Sequence, residues 1–132
     1  MNEMLNDKLA NFSKALLKLK EGLGEKGYAL VLDGTLQRFE FTFETAWKAI
    51  KKFLLVEGYD CASPRECIKK AFQSGYIKDE RVWLDIIRDR NSSSHIYDEK
   101  EAAKIYARIK EAYAAEFEKL ESGLKEKLKI LT

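Results

Sequence analysis

The stretch Leu36-Gln37-Arg38-Phe39-Glu40-Phe41-Thr42-Phe43-Glu44-Thr45-Ala46-Trp47-Lys48-Ala49-Ile50-Lys51-Lys52-Phe53-Leu54 decides the fold class. Leu36, Phe39, Phe43, Ala46, Trp47, Ile50, Phe53 and Leu54 recur at three- and four-residue steps, the spacing of one face of an α-helix. Strict alternation, the mark of a half-buried strand, is absent here and elsewhere in the chain. Phe41 falls off the stripe, and a helix apolar on more than one side touches two things. The pattern predicts a helix from about Leu30 to Glu57, ended by Gly58.

Four more helices follow by the same reading. Leu5, Leu9, Phe12, Leu16, Leu19 and Leu23 form a stripe on a first helix from Met4 to about Lys20, stopped by Gly22, Gly24 and Gly27. Ser63-Pro64-Arg65-Glu66 is a capping box with proline at the first helical position; it opens a third helix, about Pro64 to Gln73, closed by Ser74-Gly75. A fourth, about Asp79 to Arg90, carries Val82, Trp83, Ile86 and Ile87 on one side. A fifth starts at Asp98, paired with Glu101, and runs to about Leu128 with Ala102, Ile105, Tyr106, Ile109, Ala112, Tyr113, Phe117, Leu120 and Leu124 facing inward. The expectation is an all-α, up-and-down bundle of four to five helices.

At 132 residues the chain has the size of one domain, read as residues 1–132 with no second module. A single proline suits long helices. No apolar run approaches the roughly 20 residues that span a bilayer, and the polar start Met1-Asn2-Glu3-Met4 is unlike a signal peptide, so a cytoplasmic location is expected. Cys61 and Cys67, six apart, fit neither a CxxC motif nor a zinc site and read as reduced thiols. The net charge of +2 advertises no polyanion surface, so any such site must be local or assembled from two subunits.

One segment does not read as packing: Arg88-Asp89-Arg90-Asn91-Ser92-Ser93-Ser94-His95-Ile96-Tyr97-Asp98. Consecutive serines compete for backbone groups, so the fourth helix is expected to end here. Positions five apart on a continuous helix point about 140° away from each other, so convergence of Arg90 and His95 requires a bend after about Asn91. His95, the chain's one histidine, suits proton transfer near neutrality. Arg90 offers a permanently charged fork that matches phosphate, and Asn91 a group to position a hydroxyl or the imidazole. With one histidine and no carboxylate cluster of ligand spacing, no metal site and no cofactor are expected. This set points to metal-independent cleavage of RNA through the 2′-hydroxyl. Inert alternatives stand beside it: Arg and His in a polar turn are often only surface residues, Glu40, Glu44 and Lys48 read as a solvated ion-pair ladder, and Trp47 and Trp83 as core or interface anchors.

Arg90, His95 and Tyr97 resemble the Arg-x4-His-x-Tyr signature of HEPN domains, with Asn91 at the polar position that often follows the arginine. Arg38 to Lys48, Ser63-Pro64-Arg65-Glu66 and Val82-Trp83-Leu84-Asp85 look like successive segments of the HEPN branch called nucleotidyltransferase substrate-binding proteins, so the resemblance covers about positions 5 to 125. It implies a helical bundle, often homodimeric, encoded beside a minimal nucleotidyltransferase. Two functions come with it. In one, the protein is the toxin of a toxin–antitoxin pair, an endoribonuclease using Arg90 and His95, with the nucleotidyltransferase as antitoxin and Tyr97 as the residue adenylylated. In the other, it is a non-catalytic subunit that binds a nucleotide or other substrate for that nucleotidyltransferase.

Overall fold

The computed structural model describes residues 2–23, 29–93, 95 and 98–132. These form helices α1 (Asn2–Leu23), α2 (Ala29–Val56), α3 (Pro64–Gln73), α4 (Glu80–Ser93), α5 (Glu99–Arg108) and α6 (Ala114–Leu131), with a π-helical turn, Ile109–Tyr113, joining the last two. No strand occurs among the described residues. The all-α bundle is as expected. The glycine-rich stop after the first helix falls largely on residues 24–28, outside the described residues.

The long α2 is the spine: α1 packs along it, and α3, α4 and α5 also lie against it, while α6 covers α1. The predicted stripes are the core. Leu5, Phe12, Leu16 and Leu19 of α1 meet Phe39, Phe43, Ile50, Phe53 and Leu54 of α2, all essentially solvent-free. Phe117 of α6 sits among Phe12, Phe39 and Trp83, with ring centroids 6.2, 6.3 and 5.5 Å away. Trp83 is thus a core residue, as its place on the α4 stripe suggested.

The helix ends follow from their residues. Glu66 N–H donates to Ser63 Oγ at 3.2 Å, and Glu66 Oε2 reaches back one residue further than expected, to the Ala62 amide at 2.9 Å. Gly58 (φ 94°) and Gly75 (φ 83°) take the left-handed conformation that closes α2 and α3. At each, the next amide returns to the carbonyl five residues back, Tyr59 to Leu54 and Tyr76 to Ala71, both at 2.9 Å.

Three expectations are corrected. Cys61 and Cys67 are joined by a disulfide, their Cα atoms 5.2 Å apart, rather than being two thiols. The Ser63-Pro64 start folds α3 back beside the preceding segment of chain, and side chains on a helix lean toward its N-terminus, which aims Cys67 at Cys61. The fourth helix ends among the serines as expected but three residues later than Arg90, at Ser93, because the Ser92 and Ser93 hydroxyls bond the Asp89 and Arg90 carbonyls at 3.2 and 3.0 Å. Those bonds satisfy acceptors that a helix C-terminus otherwise leaves open. The fifth helix is not continuous but is interrupted by the π turn, where the Ala114 amide bonds the Ile109 carbonyl.

Candidate functional site

The last turn of α4 carries Arg90 and Asn91, and the chain turns just beyond it, with the His95 amide on the Ser92 carbonyl at 3.0 Å. The bend therefore comes two residues later than Asn91. His95 and Asn91 are exposed. Arg90 and His95 share no hydrogen bond among the described residues, so the structure places both at one end of α4 without joining them. Tyr97 lies outside the described residues.

Arg90 is held by α2. Its Nη2 donates to Glu44 Oε1 at 2.7 Å, with the two side chains 34% and 31% exposed. The other Glu44 oxygen accepts from Trp47 Nε1 at 3.2 Å and lies 3.9 Å from Lys48 Nζ. One turn earlier on α2, Glu40 Oε1 lies 2.9 Å from the Ser93 hydroxyl and shares its one proton with the Arg90 carbonyl. Glu40 and Glu44 are therefore not a merely solvated ladder. The Lys48 pair exists, but both carboxylates reach across to fasten the end of α4. The Arg90 fork is only partly used: Nε is buried and has no acceptor among the described residues.

On its other side α4 presents Asp89, almost fully buried. Arg108 of α5 grips it with Nε at 2.7 Å and Nη2 at 3.0 Å, and the Tyr113 hydroxyl donates to the same carboxylate. Arg108 and Tyr113 are five apart, which on a regular α-helix would turn them away from each other. The π turn, with its wider spacing of bonds, brings both onto Asp89. Burial pushes the Tyr113 hydroxyl well above its ordinary pKa, and the hydrogen bond to Asp89 and that residue's charge add to the rise. The hydrogen bond from Arg108 to Asp89 outweighs burial and raises the guanidinium likewise.

Sequence reading missed Glu44 as a partner of Arg90, and it missed the whole Asp89 cluster. A signal for Asp89 existed: with Val82, Ile86 and Ser93 it continues an i, i+4, i+7, i+11 row on α4, so a carboxylate stands where an apolar residue is due. Among the described residues no three His, Cys, Asp or Glu side chains group as metal ligands, and no helix is long and apolar enough to cross a membrane.

The family described as nucleotidyltransferase substrate binding protein like has a model that matches residues 7–126, nearly the whole chain. This chain belongs to that family. A crystal structure from Thermus thermophilus is 32% identical, with a TM-score of 0.74, covering 89% of this chain and 98% of the other. A Haemophilus influenzae structure, described as revealing the fold of a substrate binding domain of a nucleotidyltransferase, shares that fold at a TM-score of 0.68 and 21% identity, over 95% and 99% of the two chains. A Haemophilus influenzae protein named as a probable ribonuclease HepT is 29% identical over 84 residues, 60% of this chain. The match spans 58% of that relative's length. Family membership accounts for the bundle and for the order of segments around Arg90.

Proposed function

We propose that this member of the family is a HEPN-type toxin, a metal-independent endoribonuclease neutralised by a cognate minimal nucleotidyltransferase. The observation that carries the reading is a partly exposed Arg90 side chain whose Nε has no acceptor among the described residues, five residues before an exposed His95. The likeness to a probable ribonuclease supports it. His95 takes the proton of a 2′-hydroxyl; the 2′-oxygen bonds to phosphorus, and the bond to the 5′-oxygen breaks. Arg90 stabilises the charge of the phosphorane between these events, and Asn91 orients the hydroxyl or the imidazole. The departing 5′-oxygen needs a proton, which His95 of a second copy supplies in a homodimer. Products are a 2′,3′-cyclic phosphate and a 5′-hydroxyl. End-group analysis of RNA incubated with the purified chain in EDTA tests this: cyclic phosphate ends are expected, and 3′-hydroxyl ends or no cleavage would contradict it.

The partner nucleotidyltransferase silences the site by transferring AMP from ATP to the Tyr97 hydroxyl, whose oxygen bonds the α-phosphorus as pyrophosphate leaves, which adds a bulky anion to the segment that carries the phosphate-binding arginine. Intact mass after co-expression should show AMP increments that vanish in Tyr97→Phe; an unmodified mass beside an active partner contradicts this control.

A second reading, a non-catalytic nucleotide-binding subunit of a two-component nucleotidyltransferase, is favoured by one feature. Glu40 and Glu44 put two carboxylates beside Arg90 in a chain of net charge +2, an unwelcoming field for long RNA. That reading expects nucleotide binding, strengthened by the partner, and no RNA cleavage.

A further inference from the structure

Asp89 and Arg90, consecutive on α4, make two ion pairs of opposite character. The Asp89–Arg108 pair is bidentate, joined by Tyr113, and its carboxylate is buried. The Arg90–Glu44 pair uses a single N–H on a single oxygen, is about one-third exposed on both sides, and leaves Arg90 Nε without an acceptor among the described residues. A carboxylate that satisfied the arginine fully would take two N–H groups of the fork, as Asp89 does with Arg108. Glu44 also has somewhere else to go: Trp47 Nε1 already donates to its second oxygen, and Lys48 lies one helical turn away. Glu40 differs, since it holds the Ser93 hydroxyl and no guanidinium.

We propose that Glu44 is a displaceable internal anion that occupies Arg90 in the resting protein and yields it to a phosphodiester of RNA. This rests on the reading of Arg90 as the phosphate-binding residue. A phosphate offers oxygens to both Nη2 and Nε, so it satisfies the buried donor that Glu44 leaves open and replaces a one-point contact with a two-point one. Trp47 and Lys48 then keep the released Glu44 carboxylate, which makes the exchange reversible. Glu44 thereby sets the threshold of affinity: short or singly charged anions fail to displace it, while a polyanion held by further contacts succeeds.

The test measures binding of a fluorescein-labelled, all-2′-O-methyl oligoribonucleotide, which lacks the nucleophilic hydroxyl, to the wild type, Glu44→Gln, Glu40→Gln and Arg90→Ala. A glutamine at 44 keeps the shape and one acceptor oxygen, enough for Arg90 or Trp47 but not both, and thermal unfolding checks that each variant is folded. Glu44→Gln is expected to tighten binding about threefold to tenfold, because a charged hydrogen bond no longer competes. Glu40→Gln, which removes the same charge one turn away, should change binding less than about twofold. Equal tightening by both glutamines would reduce the effect to general charge and overturn the gate. Weaker binding by Glu44→Gln would overturn it too, since Glu44 would then be positioning Arg90 for RNA. In either case the ribonuclease reading survives if Arg90→Ala still loses affinity. Unchanged binding by Arg90→Ala overturns the gate together with the reading on which it rests.

Discussion

Asp89 and Arg90 are adjacent on α4 and anchored to opposite neighbours, Asp89 to Arg108 beyond the site and Arg90 to Glu44 of α2. The buried pair fixes how the last turns of α4 are rotated, and that rotation sets where the Arg90 guanidinium points. Stability and the proposed chemistry thus meet on two consecutive residues.

Asp89→Ala leaves Arg108 and the Tyr113 hydroxyl without their shared acceptor. Breaking a buried ion pair from one side is strongly destabilising, though Arg108 is 40% exposed and regains water. The expected loss is about 2–4 kcal/mol in urea unfolding. A loss below about 0.5 kcal/mol would mean that the cluster does not hold α4 in place.

Alkaline titration checks the same cluster by its sign. Tyr76 donates to Glu57 at 2.6 Å and Tyr113 to Asp89, and burial followed by these bonds raises both hydroxyls above the ordinary value of 10.0. A group raised on folding contributes stability that is complete below its unfolded pKa and is lost as pH rises through the folded one. At about pH 11, phenolate absorbance of the folded protein should fall short of that of the denatured chain by at least the two hydroxyls of Tyr76 and Tyr113. Helicity should fall in step as those two ionise. Full ionisation of all six tyrosines at that pH with helices intact would contradict the geometry.

The homodimer invoked by the proposed mechanism is expected to form through Phe41, 61% exposed on α2 and only three residues before Glu44. Sedimentation should give twice the 15.3 kDa chain mass at tens of micromolar, and Phe41→Glu should return the monomer. A wild-type monomer at that concentration contradicts the assignment and removes the second histidine from the mechanism.

The helices were legible because each buries one stripe, and burial imposes the three- and four-residue spacing on the sequence itself. The bounds of α3 came out at Pro64 and Gln73 because the cap chemistry of Ser63 and the left-handed turn of Gly75 are local. The extension of α4 was not legible, since it depends on where two serine hydroxyls turn, to carbonyls three residues back. Nor was the π turn: its trace is the run of four-residue steps Ile105, Ile109, Tyr113 and Phe117, and an ordinary amphipathic helix also contains such steps. Arg90, Asn91 and His95 stood out by chemistry. The Glu44 partner did not, because it lies 46 residues away in the chain and its spacing to Lys48 already had a local explanation. The cysteine pair was misread for a related reason: six residues look distant until the start of α3 folds them together.

The most direct measurement of the central claim is the single-turnover rate of cleavage of one labelled RNA in EDTA by wild type, Arg90→Ala and His95→Ala, purified identically. His95→Ala removes the proton-transfer group and is expected to slow cleavage about 10²–10⁴-fold. Arg90→Ala removes the charge facing the phosphorane and is expected to cost about 10²-fold or more. His95 is exposed, so the unfolding midpoint should move little in His95→Ala; Arg90→Ala also loses the partly exposed ion pair to Glu44 and should cost no more than about 1 kcal/mol, leaving the protein folded. Equal rates in all three preparations would mean that the cleavage belongs to a contaminant. The ribonuclease account would then give way to the substrate-binding subunit.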